Sequence, residues 1–332
     1  MTERKADALR ESVISDRSVV NNKTSVMPSP YGADDEIGRL NELKAGQLAN
    51  ILLRVDPRRV YDLSVEYFIG MPSWTVTGDP PFQIWLTARP TGEILDDPMG
   101  VGLASNQVVS RTSDAISMFT HSGTHVDTLN HMGLCGHIYN GYTEQEHLGS
   151  RHWRVCGAEQ HPPVISRGVM LDIAALHGVP MLPDSYGIGA ADIEGAMRRQ
   201  GVEVRPGDVV LVRSGRMSVW PDHERFIPNE PGLNLEGAKA LADMGAIMIG
   251  ADNLGFEQGP SADEVNWQVV HTFLLTESGI PIIELVNMEE LSADSVYEFA
   301  FVGACLKIRG ATGSPMRPLA IPLRPEHGGD DE

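Results

Sequence analysis

Cysteine is scarce in this chain: three residues, Cys135, Cys156 and Cys305, among 332. An odd, widely spaced set builds no disulfide framework, and without a CxxC pair it offers no thiolate zinc site. Long apolar runs are missing as well. No stretch of about 18 apolar residues exists to span a bilayer, and the opening MTERKADALRESVISDRSVV carries charges throughout instead of an apolar signal core. Positive charge is in short supply, with 26 Lys and Arg against 45 Asp and Glu and a formal net charge of −19. Lacking a basic stripe, the chain is not expected to bind nucleic acid or an anionic membrane surface. A cytoplasmic location is the expectation, so the Asn22-Lys23-Thr24 sequon is read as unused. No GxSxG elbow is present, and Gly187-Ile188-Gly189 lacks the third glycine of a dinucleotide fingerprint.

What is present reads as one mixed domain. Residues 1–30 are polar, end in Pro28-Ser29-Pro30, and are expected to form an arm; residues 31–323 form a single catalytic domain, and 324–332 an acidic tail. Helical spacing covers 35–53, strands are expected within 101–120, and from residue 168 the chain alternates. Strands are expected at 169–171, 209–212, 246–249, 280–286 and 298–308, the last a long final strand. Helices are expected at 190–200, capped by Gly201, at 235–244 and at 265–276. This mixture indicates α/β or α+β. The Pro- and Gly-rich loop 70–82 carries Trp74 and Phe82, large rings of the kind that line a binding loop.

Seven of the eleven histidines fall between residues 121 and 161. The densest stretch is His121-Ser122-Gly123-Thr124-His125-Val126-Asp127-Thr128-Leu129-Asn130-His131. Imidazole and carboxylate suit zinc and manganese. On an extended segment His125 and Asp127 share one face, and a turn at Ser122-Gly123 can bring His121 round to join them. Three ligands from so short a stretch leave coordination positions open, as a catalytic metal site requires. The alternative is a set of scattered surface or core histidines. Cys135 is read as a buried structural thiol, and Asp252 either as a residue reaching the site or as a loop-bonding carboxylate.

The stretch resembles the HxGTHxDxPxH signature of the cyclase-like metal-dependent hydrolases, the family of kynurenine formamidases and isatin hydrolases. It keeps His121, Gly123, Thr124, His125, Asp127 and His131 and departs at Leu129, where the family has proline. Residues 270–284, 306–317 and 31–38 resemble further family segments, so the likeness spans roughly 31–323. It implies a β-rich, swivelling β/β/α-type fold with a barrel-like sheet and flanking helices. It implies that His121, His125 and Asp127 hold a divalent metal, Mn²⁺ or Zn²⁺, and that His271 and Glu284 join Asp127 around a second ion in two-metal members. Read alone, His271 is a helix-face histidine and Glu284 a strand-end carboxylate. His131 is either a second-metal ligand or a proton shuttle, and Trp74, Phe82 and Leu129 are candidate walls for a small-molecule substrate. The implied reaction is hydrolysis of an amide, cyclic amide, imide or lactone by a metal-activated water. The alternatives are a metal-dependent cyclase or dehydratase and a non-catalytic metal-binding protein. A homodimer or homotetramer is expected.

Overall fold

The computed structural model describes residues 26–324. The sequon, most of the N-terminal arm and nearly all of the acidic tail lie outside the described residues. Four strands form the centre of the sheet: β5 (Val164–Asp172), β7 (Val209–Arg213), β9 (Met248–Ala251) and β10 (Ile282–Glu284), all mutually parallel. They read as near-continuous apolar runs because both faces are covered. Val169, Leu171, Val210, Val212 and Ile249 pack beneath the helices Ala190–Gln200 and Leu235–Asp243. The alternate residues Met170, Val209, Leu211 and Met248 face a second core with Leu40, Phe299 and Phe301. The strand period of two thus divides one sheet between two cores.

Antiparallel strands extend this centre. On one side lie β11 (Glu298–Gly303), β13 (Leu319–Pro322) and β1 (Tyr61–Asp62); on the other lie β4 (His125–Asp127) and β12 (Gly313–Pro315). The nine strands curl into a half-barrel, the β-rich α/β architecture expected. Two small pairs stand apart: β6 (Gly187–Ile188) with β8 (Gly232–Leu233), and β2 (Gln83–Ala88) with β3 (Ser113–Ser117).

Several expected elements differ. Residues 101–120 hold the helix Leu103–Val108 before β3, because Val108, Val109 and Ile116 are exposed and their pattern answers to no core. The helix expected over 265–276 begins at Val269, since Asp263 Oδ1 accepts from the amides of Val265 and Asn266 and holds a turn there. It continues as a π-helical segment, Thr272–Glu277. The strand expected to run to 308 stops at Gly303, and the chain turns at Gly310, whose φ is +67°, to return as β12 and β13. Residues 35–53 divide into a 3₁₀ turn, Gly38–Glu42, and the helix Ala45–Arg54, separated by extended backbone at Leu43 and Lys44. The end of the expected arm is tied down: the Ser29 amide donates to Asn140 Oδ1 at 2.8 Å.

Candidate metal centre

β4 lies between β10 and β12, and that pairing builds the centre. Its register sets His125 opposite Glu284 and Pro315, and Asp127 opposite Ile282 and Gly313. Val126 turns into the core while His125 and Asp127 approach on the other face, His125 Nε2 lying 3.3 Å from Asp127 Oδ1. Gly123 makes the turn before the strand at φ +58°, and a Cβ there would lie 2.5 Å from the Tyr67 ring, so no larger residue fits. Thr124 locks the turn by donating to the Leu285 carbonyl at 2.7 Å and accepting from the Val65 amide at 2.9 Å. His121 then folds over Gly313, where a Cβ would lie 2.5 Å from its ring. The imidazole comes 2.5 Å from Asp127 Oδ1 through Nδ1 and 2.9 Å from Thr312 Oγ1 through Nε2.

Five side chains meet around Asp127. His125 Nδ1 donates to the Gly123 carbonyl at 2.8 Å, which turns Nε2 towards the cluster. That Nε2 lies 3.2 Å from Glu284 Oε2. On the other side His131 Nε2 is 3.6 Å and His271 Nε2 3.8 Å from Asp127 Oδ2, and His271 Nε2 is 3.3 Å from Glu284 Oε1. His125 Nε2 and Asp127 Oδ2 are buried without a hydrogen-bond partner. Two such atoms aimed into one cluster are costly unless a metal ion or a proton on the imidazole offsets them. Two ligand groups are close enough to hold one, His121–Asp127–His131 and His125–Asp127–Glu284, with Asp127 common to both. The donor set of imidazoles and carboxylates fits Zn²⁺ or Mn²⁺. Glu257, which sequence reasoning missed, holds His271: it accepts from Nδ1 at 2.7 Å and from the His271 and Val270 amides at 3.0 and 3.1 Å. No spacing announced it; its loop, residues 252–260, meets the site only through folding.

Burial opposes a proton on His125, yet the carboxylates of Asp127 and Glu284 outweigh it and raise the imidazole to about 10. Burial opposes a proton on His271 too, and Glu257 and Glu284 raise it to about 10. Burial, reinforced by the neighbouring His121, holds His131 well below the ordinary range. Asp127, despite burial, is held low by the imidazoles that crowd it, with His121 and His125 close enough to hydrogen-bond. In the metal-free protein, protons on His125 and His271 therefore balance the buried carboxylates.

A cavity of about 640 Å³ opens over the cluster, with His121, His131, His271 and Glu284 on its floor. Of the expected wall residues, Trp74 lines it. Phe82 does not: it is buried with its ring 5.8 Å from that of Tyr67. Leu129 also lies off the cavity, in the core with Ile138 and Tyr139, because the apolar side chain turns inward from the loop that follows β4. Phe119 and Trp267 supply wall instead. Cys135 and Cys156 do not line it, and Asp252 is engaged by Ser214 and the Gly215 amide.

The family model described as "Putative cyclase" matches residues 61–258. The chain belongs to the cyclase family. Among curated proteins no sequence matches this cyclase-family chain. A crystal structure described as a novel cyclase superposes with a TM-score of 0.77 at 25% identity, covering 88% of this chain and 97% of that one. Isatin hydrolase A from Labrenzia aggregata shares the fold with a TM-score of 0.60 at 20% identity, covering 86% of this chain and 99% of its own. The isatin hydrolase A of Ralstonia solanacearum gives 0.59 at 20%, covering 90% and 99%.

Two predictions follow from this electrostatic balance. A histidine raised to about 10 is protonated at pH 7 and must lose that proton to bind a metal. Zn²⁺ binding at pH 7 is therefore expected to release about one to two protons per chain and to tighten as pH rises towards 10. The slope of calorimetric enthalpy against buffer ionisation enthalpy measures this, and a zero slope contradicts it. Glu257→Gln should weaken metal binding about 10–100-fold by loosening His271, read by competition with a chelating dye; unchanged affinity rejects that role.

Proposed function

We propose that this protein is a metal-dependent hydrolase that adds water across an amide, cyclic amide, imide or lactone of a small molecule. The observation that carries the reading is the shared carboxylate: Asp127 belongs to two ligand groups, its Oδ2 and His125 Nε2 are orphaned, and a cavity opens directly above. The resemblance assigns His121, His125 and Asp127 to one ion and Asp127, His271 and Glu284 to a second, while the distances group His121 with Asp127 and His131, and His125 with Asp127 and Glu284. A bound dication supplies Lewis acidity and acidifies water. His131 lines the cavity and is kept neutral, so it can accept a proton from water and return it to the leaving nitrogen or oxygen. Glu257 keeps the His271 lone pair pointed inward. Trp74, Phe119 and Trp267 give the substrate's apolar part an apolar wall. The likeness in fold to isatin hydrolases supports hydrolysis, and the family's description favours a cyclase as the second reading.

Chelation should abolish turnover on a panel of amides and lactones, and added Mn²⁺ or Zn²⁺ should restore it; persisting activity after verified metal removal rejects the proposal. Products heavier by one water support hydrolysis, and products lighter by one water support the cyclase. His131→Gln is expected to lower kcat by about 10²–10⁴-fold with metal content unchanged. Loss of metal in that variant would make His131 a ligand instead.

Self-association belongs to the same proposal. Strands β2 and β3 expose Ile84, Trp85, Leu86 and Ile116, and a two-stranded ribbon with both faces in water is marginal alone. Light scattering should give a multiple of 36.1 kDa that falls to one copy in Trp85→Asp/Leu86→Asp. A native monomer rejects it.

A further inference from the structure

The cavity above the centre has a one-sided chemistry. Among the described residues no lysine or arginine lines it; its acidic side chains are Asp79, Glu230, Glu257 and Glu284, burial raising Glu230 to about 8, and its three histidines belong to the metal centre. Glu257 is occupied by His271 and its backbone, and Glu230 by the amides of Gly255 and Leu254, at 2.7 and 3.3 Å, and by Asn253 Nδ2 at 3.3 Å. Between them the wall is apolar: Trp74, Val76, Phe119, Ile227, Leu254 and Trp267. The volume, about 640 Å³, lies within the roughly 300–1,000 Å³ that encloses a drug-sized molecule, well beyond a single small ring.

A remote carboxylate or phosphate on the substrate would therefore leave water for an apolar wall that has no guanidinium or ammonium to receive it. We infer that this enzyme takes an uncharged, mainly apolar substrate of two-ring size or larger and discriminates against the same molecule bearing a remote acid group. The inference rests on the hydrolase reading for its reaction but concerns recognition, which is measurable without turnover.

The test uses two probes, biphenyl-4-carboxamide and its 4′-carboxy derivative, with binding read as quenching of tryptophan fluorescence in Zn²⁺-loaded and chelator-stripped protein. The neutral probe is expected to bind at least about tenfold more tightly, a difference of about 1.4 kcal/mol, in both states. Val76→Lys, at a position exposed to solvent, should narrow the gap by improving the binding of the acid. Equal or tighter binding of the acid by the native protein overturns the inference, as does failure of either probe to bind. Selective binding of the neutral probe together with no hydrolysis of any amide or lactone would reject the hydrolase reading and leave the inference standing.

Discussion

The structure depends on the pairing of a three-residue strand. β4 is held on both sides, by β10 and by β12, and each partner contributes something the centre cannot do without. β10 delivers Glu284 opposite His125. β12 delivers a glycine beneath His121 and, just before it, the Thr312 hydroxyl that its ring reaches. A one-residue slip of either register would send His125 and Asp127 into the core and Val126 towards the cavity. The close packing of Thr124 against Leu285 and Val65, together with the left-handed turn at Gly123, makes such a slip costly.

That register concentrates charge where the protein can least solvate it. Asp127, Glu284 and Glu257 are buried beside His125 and His271, and the metal-free cluster is balanced by protons on those imidazoles. A cation and two protons are alternative ways of reaching neutrality. The orphaned atoms at the middle of the cluster are consistent with the first. The arrangement also sets His131 apart from His125 and His271: burial and the neighbouring imidazoles hold it low, where carboxylates raise those two.

The centre sits where the parallel strands end. Glu284 is the last residue of β10, and the loop after β9 carries Glu257, so the cavity opens outside the carboxyl ends of the sheet, the usual place for a ligand in such folds. The walls come from chain segments far apart: the loop around Trp74, the residue before His121's turn, the segment 227–230 and the loop 254–268. Their shared trait is a lack of positive charge, which mirrors the acidity of the whole chain and gives the floor and walls distinct tasks.

The sequence by itself determined the local chemistry: the ligand types, their period-two spacing, the glycine turn, and the central strands whose apolar runs are continuous because both faces are covered. It also determined helix 190–200 and its Gly201 cap, since capping is a property of neighbours along the chain. Only the tertiary structure decided which distant residues complete the site. Glu257, Thr312 and Gly313 carry no local signal of their role, because what matters is the strand pairing and loop path that bring them to His271 and His121. Phe82 and Leu129 were legible as large and apolar, but whether an apolar side chain walls a cavity or fills a core depends on which side of its backbone the rest of the chain packs. The ribbon at 83–117 was hardest to read for the same reason: with its apolar residues exposed, no buried face imposes a period on it.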